Sequence, residues 1–198
     1  MWIPVTLAAA TFQILRTSRQ HQLRTVLSTN AAGFVRYAYG LPMAIARRLQ
    51  WYLDHAGMDY EVLRHPRSAC SMETARQAAI PPGRLAKPVL LEDDRGYLLA
   101  VVPASCRIDL FELEAWLHRQ LKLATERDLE DLFPDCATGA VPPVGAPYHL
   151  PVVYDEALAA LPDVYFEAGD HEDVVHMASH DFCALQGTAP CAHFSHPH

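Results

Sequence analysis

The chain is poor in positive charge, and its last third has none. Of its 198 residues, 16 are Lys or Arg and 23 are Asp or Glu. All 16 basic residues lie in residues 1–127 beside 11 acidic ones, a formal +5, whereas residues 128–198 carry 12 acidic residues and neither Lys nor Arg, a formal −12. Such an acidic third argues against a protein that grips a long nucleic-acid backbone. It leaves open a local basic face that contacts only the end of an RNA, with a solvated acidic surface as the alternative.

The motifs of metal and redox sites are also missing. The five cysteines are odd in number and none is spaced C-x-x-C, which argues against a disulfide framework or a zinc ribbon and for a reducing, cytoplasmic environment. Because there is no H-E-x-x-H motif, we interpret His176 and His180 as surface residues and expect neither a metal nor a cofactor. There is no G-x-S-x-G elbow and no evident Ser-His-Asp set, which argues against an activated protein nucleophile.

Residues 1–42 differ from the rest of the chain. An apolar run at 3–10 is too short to span a membrane, and it lacks the charged start and cleavage site of a signal peptide. Segments 1–10 and 33–37 resemble the opening of drug/metabolite-type permeases, but the further apolar helices of a permease do not follow. We therefore expect residues 1–42 to be a loosely helical extension outside a functional domain at 43–198, with no stable membrane association. The alternative is an amphipathic interfacial segment that tethers the protein to a membrane.

From Met43 onward, short helices and strands alternate irregularly. Periodicity and capping residues predict five helices: from Met43 to Gly57, from Met72 to Ala79, from Asp109 to Leu117, from Thr125 to Leu132, and a last one that ends at Leu185. Ser71 is predicted to cap the second helix and Ser179 the last. Strands are predicted at 60–63, 87–91, 97–102, 152–154, 164–168 and 174–177, with a hairpin turn at 93–96. This order lacks regular βαβ units and predicts an α+β fold, a mixed, partly closed, barrel-like sheet surrounded by helices.

Aromatic and thiol side chains in the apolar stretches are assigned to the core. Trp51, Trp116 and Tyr97 follow the apolar periodicity, so we predict core aromatics rather than surfaces on which bases stack. Cys70 and Cys106 are predicted to be buried and structural, which is the commoner case for cysteine.

Three acidic residues lie close together near the end of a predicted strand. Glu167, Asp170 and Asp173 allow an acid–base pair, but we interpret them as a solvated acidic turn. Asp170 is near enough in sequence to tune His171.

Lys87 is the most unusual charged residue, because the chain has two lysines and fourteen arginines. It lies in the apolar run 86–91, a predicted buried strand, where an ammonium is costly unless it is paired or used. Since the chain uses Arg elsewhere for positive charge, Lys87 is a candidate functional cation. The alternative is a lysine that reaches solvent from the strand end.

The residues after Lys87 complete a recognisable series. Ala86-Lys87 is followed by Val101-Val102-Pro103-Ala104, by a loop rich in Gly and Pro at 139–147, and by Phe166-Glu167-Ala168-Gly169. In order and spacing, residues 44–195 resemble the YbaK/prolyl-tRNA-editing family. The resemblance implies that family's editing-domain fold. It also implies a trans-acting aminoacyl-tRNA deacylase, which hydrolyses the ester of a mischarged tRNA such as alanyl- or cysteinyl-tRNA for proline.

The resemblance also implies roles for single residues. Lys87 corresponds to the family's essential lysine at the tRNA 3′ end and His171 to a pocket histidine of some subgroups, so these two are the catalytic candidates. The region around His65, Ser68, Cys70 and Met72 corresponds to a pocket wall. The substrate-binding candidates come from the loop and from the turn after the strand: Gly139, Pro142, Pro143, Gly145, Gly169 and Asp170.

Two positions depart from the family pattern. Pro88 follows the lysine where many members have Thr or Asn, and Asp170 precedes the histidine where Ser or Asn is common. These departures leave the preferred amino acid open, and they keep a non-catalytic tRNA- or synthetase-binding module of the same fold as the alternative. The expected partners are the 3′ end of a mischarged tRNA and an aminoacyl-tRNA synthetase, and the expected state is a monomer.

Overall fold

The computed structural model describes residues 28–29, 35–36 and 45–198. Its strands are β1 (Ser28–Thr29), β2 (Val35–Arg36), β3 (Glu61–Arg64), β4 (Leu85–Asp93), β5 (Gly96–Pro103), β6 (Cys106–Ile108), β7 (Lys122–Leu123), β8 (Val152–Asp155), β9 (Asp163–Glu167), β10 (Asp173–Ala178), β11 (Cys191–Ala192) and β12 (Ser195–Pro197). Its helices are α1 (Arg47–Ala56), α2 (Ser71–Gln77), α3 (Leu110–Leu117), α4 (Glu126–Leu132), α5 (Glu156–Ala159) and α6 (Ser179–Gln186), with 3₁₀ turns at Pro82–Arg84 and Ala146–Tyr148.

Ten of these strands form one mixed sheet, which confirms the predicted α+β class. Its order is β1-β2-β3-β10-β9-β4-β5-β8-β11, with β7 paired to β4, and the path does not close on itself. The predicted hairpin is its centre, since β4 and β5 pair antiparallel from Ala86↔Pro103 to Asp93↔Gly96. β4 pairs with β9 in parallel, and β5 with β8 in parallel. Strand β4 therefore lies between the hairpin partner and β9, the strand that leads into the turn at 169–171.

Helices cover both faces of the sheet. The largest core cluster buries Leu49 and Leu53 of α1 against Phe166 of β9 and Phe182 of α6. On the other face, Leu113 of α3 packs with residues of β4 and β5. A third cluster packs Ala75 of α2 against the sheet. Together the three clusters bury residues from both faces of β4.

The helix caps confirm part of the prediction. The Asp109 side chain accepts from the Glu112 N–H at the start of α3, and Thr125 and Asp128 form the predicted capping box of α4. Ser71 and Ser179 are not caps; each is the first residue of its helix, after Cys70 and Ala178. The first helix begins at Arg47, and residue 43 lies outside the described residues.

Two tryptophans predicted in the core are on the surface. Trp51 is 61% exposed and Trp116 is 44% exposed, whereas Tyr97 is partly buried against the core. Each helix buries a narrower stripe than its apolar pattern indicated, so the tryptophan rings project outside it. Cys70 is exposed and Cys106 is half-buried, which corrects the prediction of two buried thiols.

Most of residues 1–42 lies outside the described residues. The four that are described form β1 and β2, and Arg36 of β2 pairs with Leu63 of β3. The expectation of helix is wrong for these four. Within the described residues, none of the helices is both long and apolar enough to cross a membrane.

Candidate active site

Lys87 lies in the middle of the sheet, opposite Val102 of β5. Its side chain is half-buried, and its Nζ donates to the backbone oxygen of Cys106 at 2.5 Å. Burial lowers the pKa of this ammonium, because desolvation disfavours its charged form. No carboxylate of residues 45–198 lies in an ion pair with it. The ammonium keeps further donors, and its charge is not neutralised by the described part of the chain.

The turn after β9 brings together Gly169, Asp170 and His171. Gly169 has φ +124°, and a Cβ there would lie 2.8 Å from the Cβ of Ala46, so only glycine fits without strain. One carboxylate oxygen of Asp170 accepts from the N–H groups of Glu172 and Asp173. His171 has φ +68° and is buried. Asp170 therefore fixes the turn that holds His171 in a left-handed conformation.

The Gly/Pro loop begins against this turn. The Ala137 N–H donates to the Gly169 oxygen at 2.7 Å, and Nε2 of His171 lies 2.9 Å from the Thr138 oxygen. Gly139 has φ +89°, and a Cβ there would lie 3.5 Å from Cε1 of His171. Gly139, Gly169 and His171 thus meet in one place.

The later part of the loop is packed inside the protein. Pro142, Pro143 and Gly145 are buried, and the Pro143 oxygen accepts from Nε2 of Gln186 at 3.0 Å. A Cβ at Gly145 would lie 2.3 Å from the Leu150 oxygen. These residues hold the shape of the loop, and Gly145 is required by this close backbone approach.

A buried hydroxyl network on the α2 side was not foreseen. The Thr74 hydroxyl lies 2.5 Å from Oε1 of Glu167 and 2.6 Å from the Ser68 hydroxyl. Glu167 is 4% exposed and Asp173 is also 4% exposed, so the expected solvated acidic turn is wrong for both. Burial raises the pKa of Glu167, against the Thr74 hydrogen bond and the nearby His65 and His171, which lower it. Glu167 lies on the face of β9 opposite to the buried Phe166, and α2 covers that face.

Four buried polar side-chain atoms around this turn have no hydrogen-bond partner. They are His65 Nε2, Glu167 Oε2, Asp170 Oδ2 and His171 Nδ1. The Nδ1 of His65 contacts the Pro66 oxygen and the Nε2 of His171 contacts the Thr138 oxygen. A carbonyl oxygen only accepts, so each ring donates from the nitrogen that faces it, and its other nitrogen has no partner. The turn therefore offers unpaired polar atoms that a ligand or water would satisfy.

The register of β4 and β9 relates Lys87 to this cluster. Leu85 pairs with Tyr165 and Ala86 with Phe166, and the next residues along the two parallel strands are Lys87 and Glu167. Because side chains alternate between faces, Lys87 and Glu167 belong to the same face of the sheet. Of the predicted pocket wall, Ser68 and His65 are buried beside the turn, whereas Cys70 and Met72 are exposed.

One group of metal-ligand type lies away from the turn. Asp109, Glu112 and His196 place potential ligand atoms within 4.8 Å of one another, the only such group of three among residues 45–198 and the four described before them. Asp109 also caps α3, and Glu112 and His196 are exposed. The helix cap explains the position of Asp109, and carboxylate oxygens of Asp109 and Glu112 each lie 3.4 Å from Nε2 of His196.

Solved structures share this fold. A candidate trans-editing enzyme for prolyl-tRNA synthetase is 27% identical, with a TM-score of 0.68 over 79% of this chain and 99% of that one. A scaffold protein from a study of computational epitope grafting is 26% identical, with a TM-score of 0.69 over 80% of this chain and 100% of that one. A candidate signal-transduction protein from Marinobacter aquaeolei VT8 is 24% identical, with a TM-score of 0.60 over 79% of this chain and 31% of that one, and it shows the fold alone.

No curated protein matches the chain. A family model described as the aminoacyl-tRNA editing domain matches residues 65–185, more than half of the chain, and includes Lys87, the Gly/Pro loop and the turn at 169–171. This match confirms the family resemblance derived from the sequence. The chain belongs to the aminoacyl-tRNA editing domain family.

Proposed function

We propose that the protein is a trans-acting deacylase that hydrolyses the ester of mischarged tRNA, with alanine or cysteine on the tRNA for proline as first substrates. Membership of the editing-domain family supports the substrate class. The likeness to a candidate trans-editing enzyme for prolyl-tRNA synthetase, which extends over 99% of that chain, supports action in trans and the tRNA for proline. The proposal includes a cytoplasmic monomer that needs no cofactor and meets an aminoacyl-tRNA synthetase.

The observation that carries the proposal is the state of Lys87. A half-buried ammonium with a lowered pKa and one backbone partner is held at a cost to stability. Such a cost is typical of functional groups, and an incoming phosphate or ribose oxygen would compensate it. Lys87 would then hold the 3′-terminal nucleotide and direct the ester toward the turn at 169–171.

The chemistry needs little beyond positioning. An aminoacyl ester is already activated: water adds to the carbonyl carbon, the ester C–O bond breaks, and the amino acid leaves the terminal ribose hydroxyl, which regains a proton. Backbone N–H groups near Gly139 and Gly169 would stabilise the developing oxyanion, and a neighbouring ribose hydroxyl would assist the attacking water. His171 would orient the reacting group through its unpartnered Nδ1.

The remaining candidates would shape the pocket. Pro142, Pro143 and Gly145 would fix the loop that encloses the amino acid, and Asp170 would fix the turn. Selection would then come from pocket size, which discriminates weakly for each methylene group.

Deacylation of a panel of mischarged tRNAs by the full chain tests the proposal. Release of amino acid from one or two species is expected, and alanyl- or cysteinyl-tRNA for proline should be among them. If only other species are hydrolysed, the proposed reaction is supported, and the proposed first substrates are wrong. No hydrolysis of any species by a folded protein that binds tRNA would contradict the proposal and favour the non-catalytic binding module.

A further inference from the structure

A groove separate from the turn lies between α1 and the loop at 134–149. Its volume is about 790 Å³, and its walls include Arg47, Arg48 and Trp51 from α1 and Pro147 and His149 from the loop. The arginines and Trp51 are exposed, and spacings of three and four residues align them along one side of the helix. An aromatic ring and two cations therefore face the same open groove.

Trp51 offers a flat apolar surface. Its side chain is 61% exposed, although a large aromatic ring on a surface loses the hydrophobic gain of burial. The indole stacks on the His55 ring, with centroids 4.0 Å apart and planes 27° apart. This stack continues the stripe one turn further along α1, in a form that suits stacking on a nucleobase.

The two arginines are not neutralised. Within residues 45–198, neither guanidinium lies in an ion pair, and that of Arg48 lies 5.7 Å from the centre of the Tyr148 ring. Asp135 is the only carboxylate among the described residues that line the groove, and one of its oxygens accepts from the backbone N–H of Arg48. Since no Lys or Arg follows residue 127, the loop wall has no cation of that kind and α1 supplies the positive charge.

Both walls of the groove hydrogen-bond to the backbone at Ala168 and Gly169, where the turn begins. Ala46, just before α1, donates its N–H to the Ala168 oxygen at 2.8 Å. From the opposite wall, the Ala137 N–H donates to the Gly169 oxygen. The groove therefore borders the backbone that leads into this turn, on the face of the sheet opposite to the one that carries Lys87.

We infer that this groove binds the single-stranded end of an RNA, with backbone phosphates at Arg47 and Arg48 and a base stacked on Trp51. The inference rests on the proposed function for the identity of that RNA as a tRNA, and it assigns the surface that holds it. Charge alone would also attract an acidic protein segment. The exposed indole favours RNA, because every base has a face that stacks on it.

Binding of fluorescein-labelled deacylated tRNA and of a short single-stranded RNA, followed by anisotropy, tests the inference. Trp51→Ala should weaken binding of both by about five- to 150-fold, the range for removal of one stacked base, while Trp51→Phe should retain most of it. The double variant Arg47→Gln/Arg48→Gln should reduce the magnitude of the slope of log K against log salt by about 1.4. Each phosphate contact to a single strand contributes about 0.7 to that slope, and the variant removes two such contacts. Arg127→Gln, an exposed arginine on α4, is the matched control and should bind as the unmodified protein does.

The outcomes separate this inference from the proposed function. If the groove variants deacylate mischarged tRNA with an unchanged KM, the groove does not bind the RNA, and the proposed function is unaffected. Weakened RNA binding in those variants, with no deacylation of any mischarged tRNA, would support the groove and contradict the function. If poly-glutamate competes with the RNA equally well at equal charge and Trp51→Ala has no effect, the groove binds acidic segments and the RNA assignment is wrong.

Discussion

Strand β4, which carries Lys87, and the end of β9, which leads into the turn at 169–171, are neighbours in the sheet, but the contacts around their buried ionisable groups differ. At the end of β9, Glu167 is buried beneath α2 and is hydrogen-bonded to the Thr74 hydroxyl, which contacts the Ser68 hydroxyl. On β4, Lys87 is half-exposed, and its ammonium is held by one backbone oxygen. The turn is built as a fixed support, whereas Lys87 remains available to an external anion.

Burial shifts both groups toward their neutral forms. It raises the pKa of Glu167 and lowers that of Lys87. Both side chains therefore weaken the folded state when charged. The difference lies in the contacts each makes, and changes at the turn should affect stability while changes at Lys87 should affect function.

The largest expected loss of stability comes from Gly169→Ala. The new Cβ would meet Ala46 at 2.8 Å in a backbone conformation that side chains rarely adopt, so the free energy of unfolding should fall by about 3 kcal/mol. The control is Gly57→Ala, in the ordinary left-handed region (φ +66°, ψ 28°) with no atom within 4 Å of the new Cβ, and it should cost only about 1 kcal/mol. Denaturant unfolding measures both, and equal losses would mean that the turn is not tightly packed.

Removal of the Thr74 hydroxyl should have the next largest effect. Thr74→Val keeps the side-chain shape but leaves Oε1 of Glu167 and the Ser68 hydroxyl without this partner in a buried site. The free energy of unfolding should fall by about 2 kcal/mol, whereas Thr188→Val at an exposed position should change it by less than about 0.5 kcal/mol. Equal effects at the two positions would show that the network adds nothing.

A smaller effect should appear as a dependence on pH. The pKa of Glu167 is raised in the folded protein from an ordinary value of 4.5, so its favourable contribution is complete below that value and is lost as pH rises through the folded pKa. Glu167→Gln stays neutral, so its free energy of unfolding relative to the unmodified protein should increase between about pH 4.5 and pH 7. Asp94→Asn, on the exposed hairpin turn, is the control; no relative increase for Glu167→Gln would contradict the raised pKa.

The smallest effect on stability is expected at Lys87. Lys87→Met removes a desolvated charge and keeps an unbranched side chain, so the free energy of unfolding should rise or stay within about 0.5 kcal/mol. Thermal unfolding beside the unmodified protein measures it. A loss of about 2 kcal/mol or more would mean that Lys87 is a structural residue and would break the contrast with the turn.

Much of the fold was predictable because local signals repeat over many residues. The hairpin of β4 and β5 carries a turn signal between two apolar runs, and the caps at Asp109 and Thr125 are short-range patterns. The strands β6, β7, β11 and β12 were missed, because each has two or three residues and is defined by its partner rather than by its own sequence. The surface positions of Trp51 and Trp116 depend on how wide a strip of each helix is buried against the sheet. Periodicity alone does not determine the width of that buried strip.

The candidate site was predictable to a different extent at each position. Lys87 stood out because lysine is rare in this chain, whereas Glu167 did not, because acids are abundant around it. The burial of Glu167 depends on α2, a helix nearly a hundred residues earlier in the chain. The resulting contact between Thr74 and Glu167 has no local sequence signal. Gly139, Gly169 and His171 were grouped through the family resemblance, and the contacts of the loop with the turn give that grouping a physical basis.

The two lysines of the chain provide the most direct test of the central claim. Single-turnover release of the amino acid from the mischarged tRNA that the protein hydrolyses would be measured for Lys87→Met and for Lys122→Met, whose side chain is 71% exposed. The account predicts a decrease on the order of 100-fold for Lys87→Met, the size of losing a charge-assisted hydrogen bond, and a rate within about twofold for Lys122→Met. A folded Lys87→Met variant that releases the amino acid as fast as Lys122→Met would contradict it.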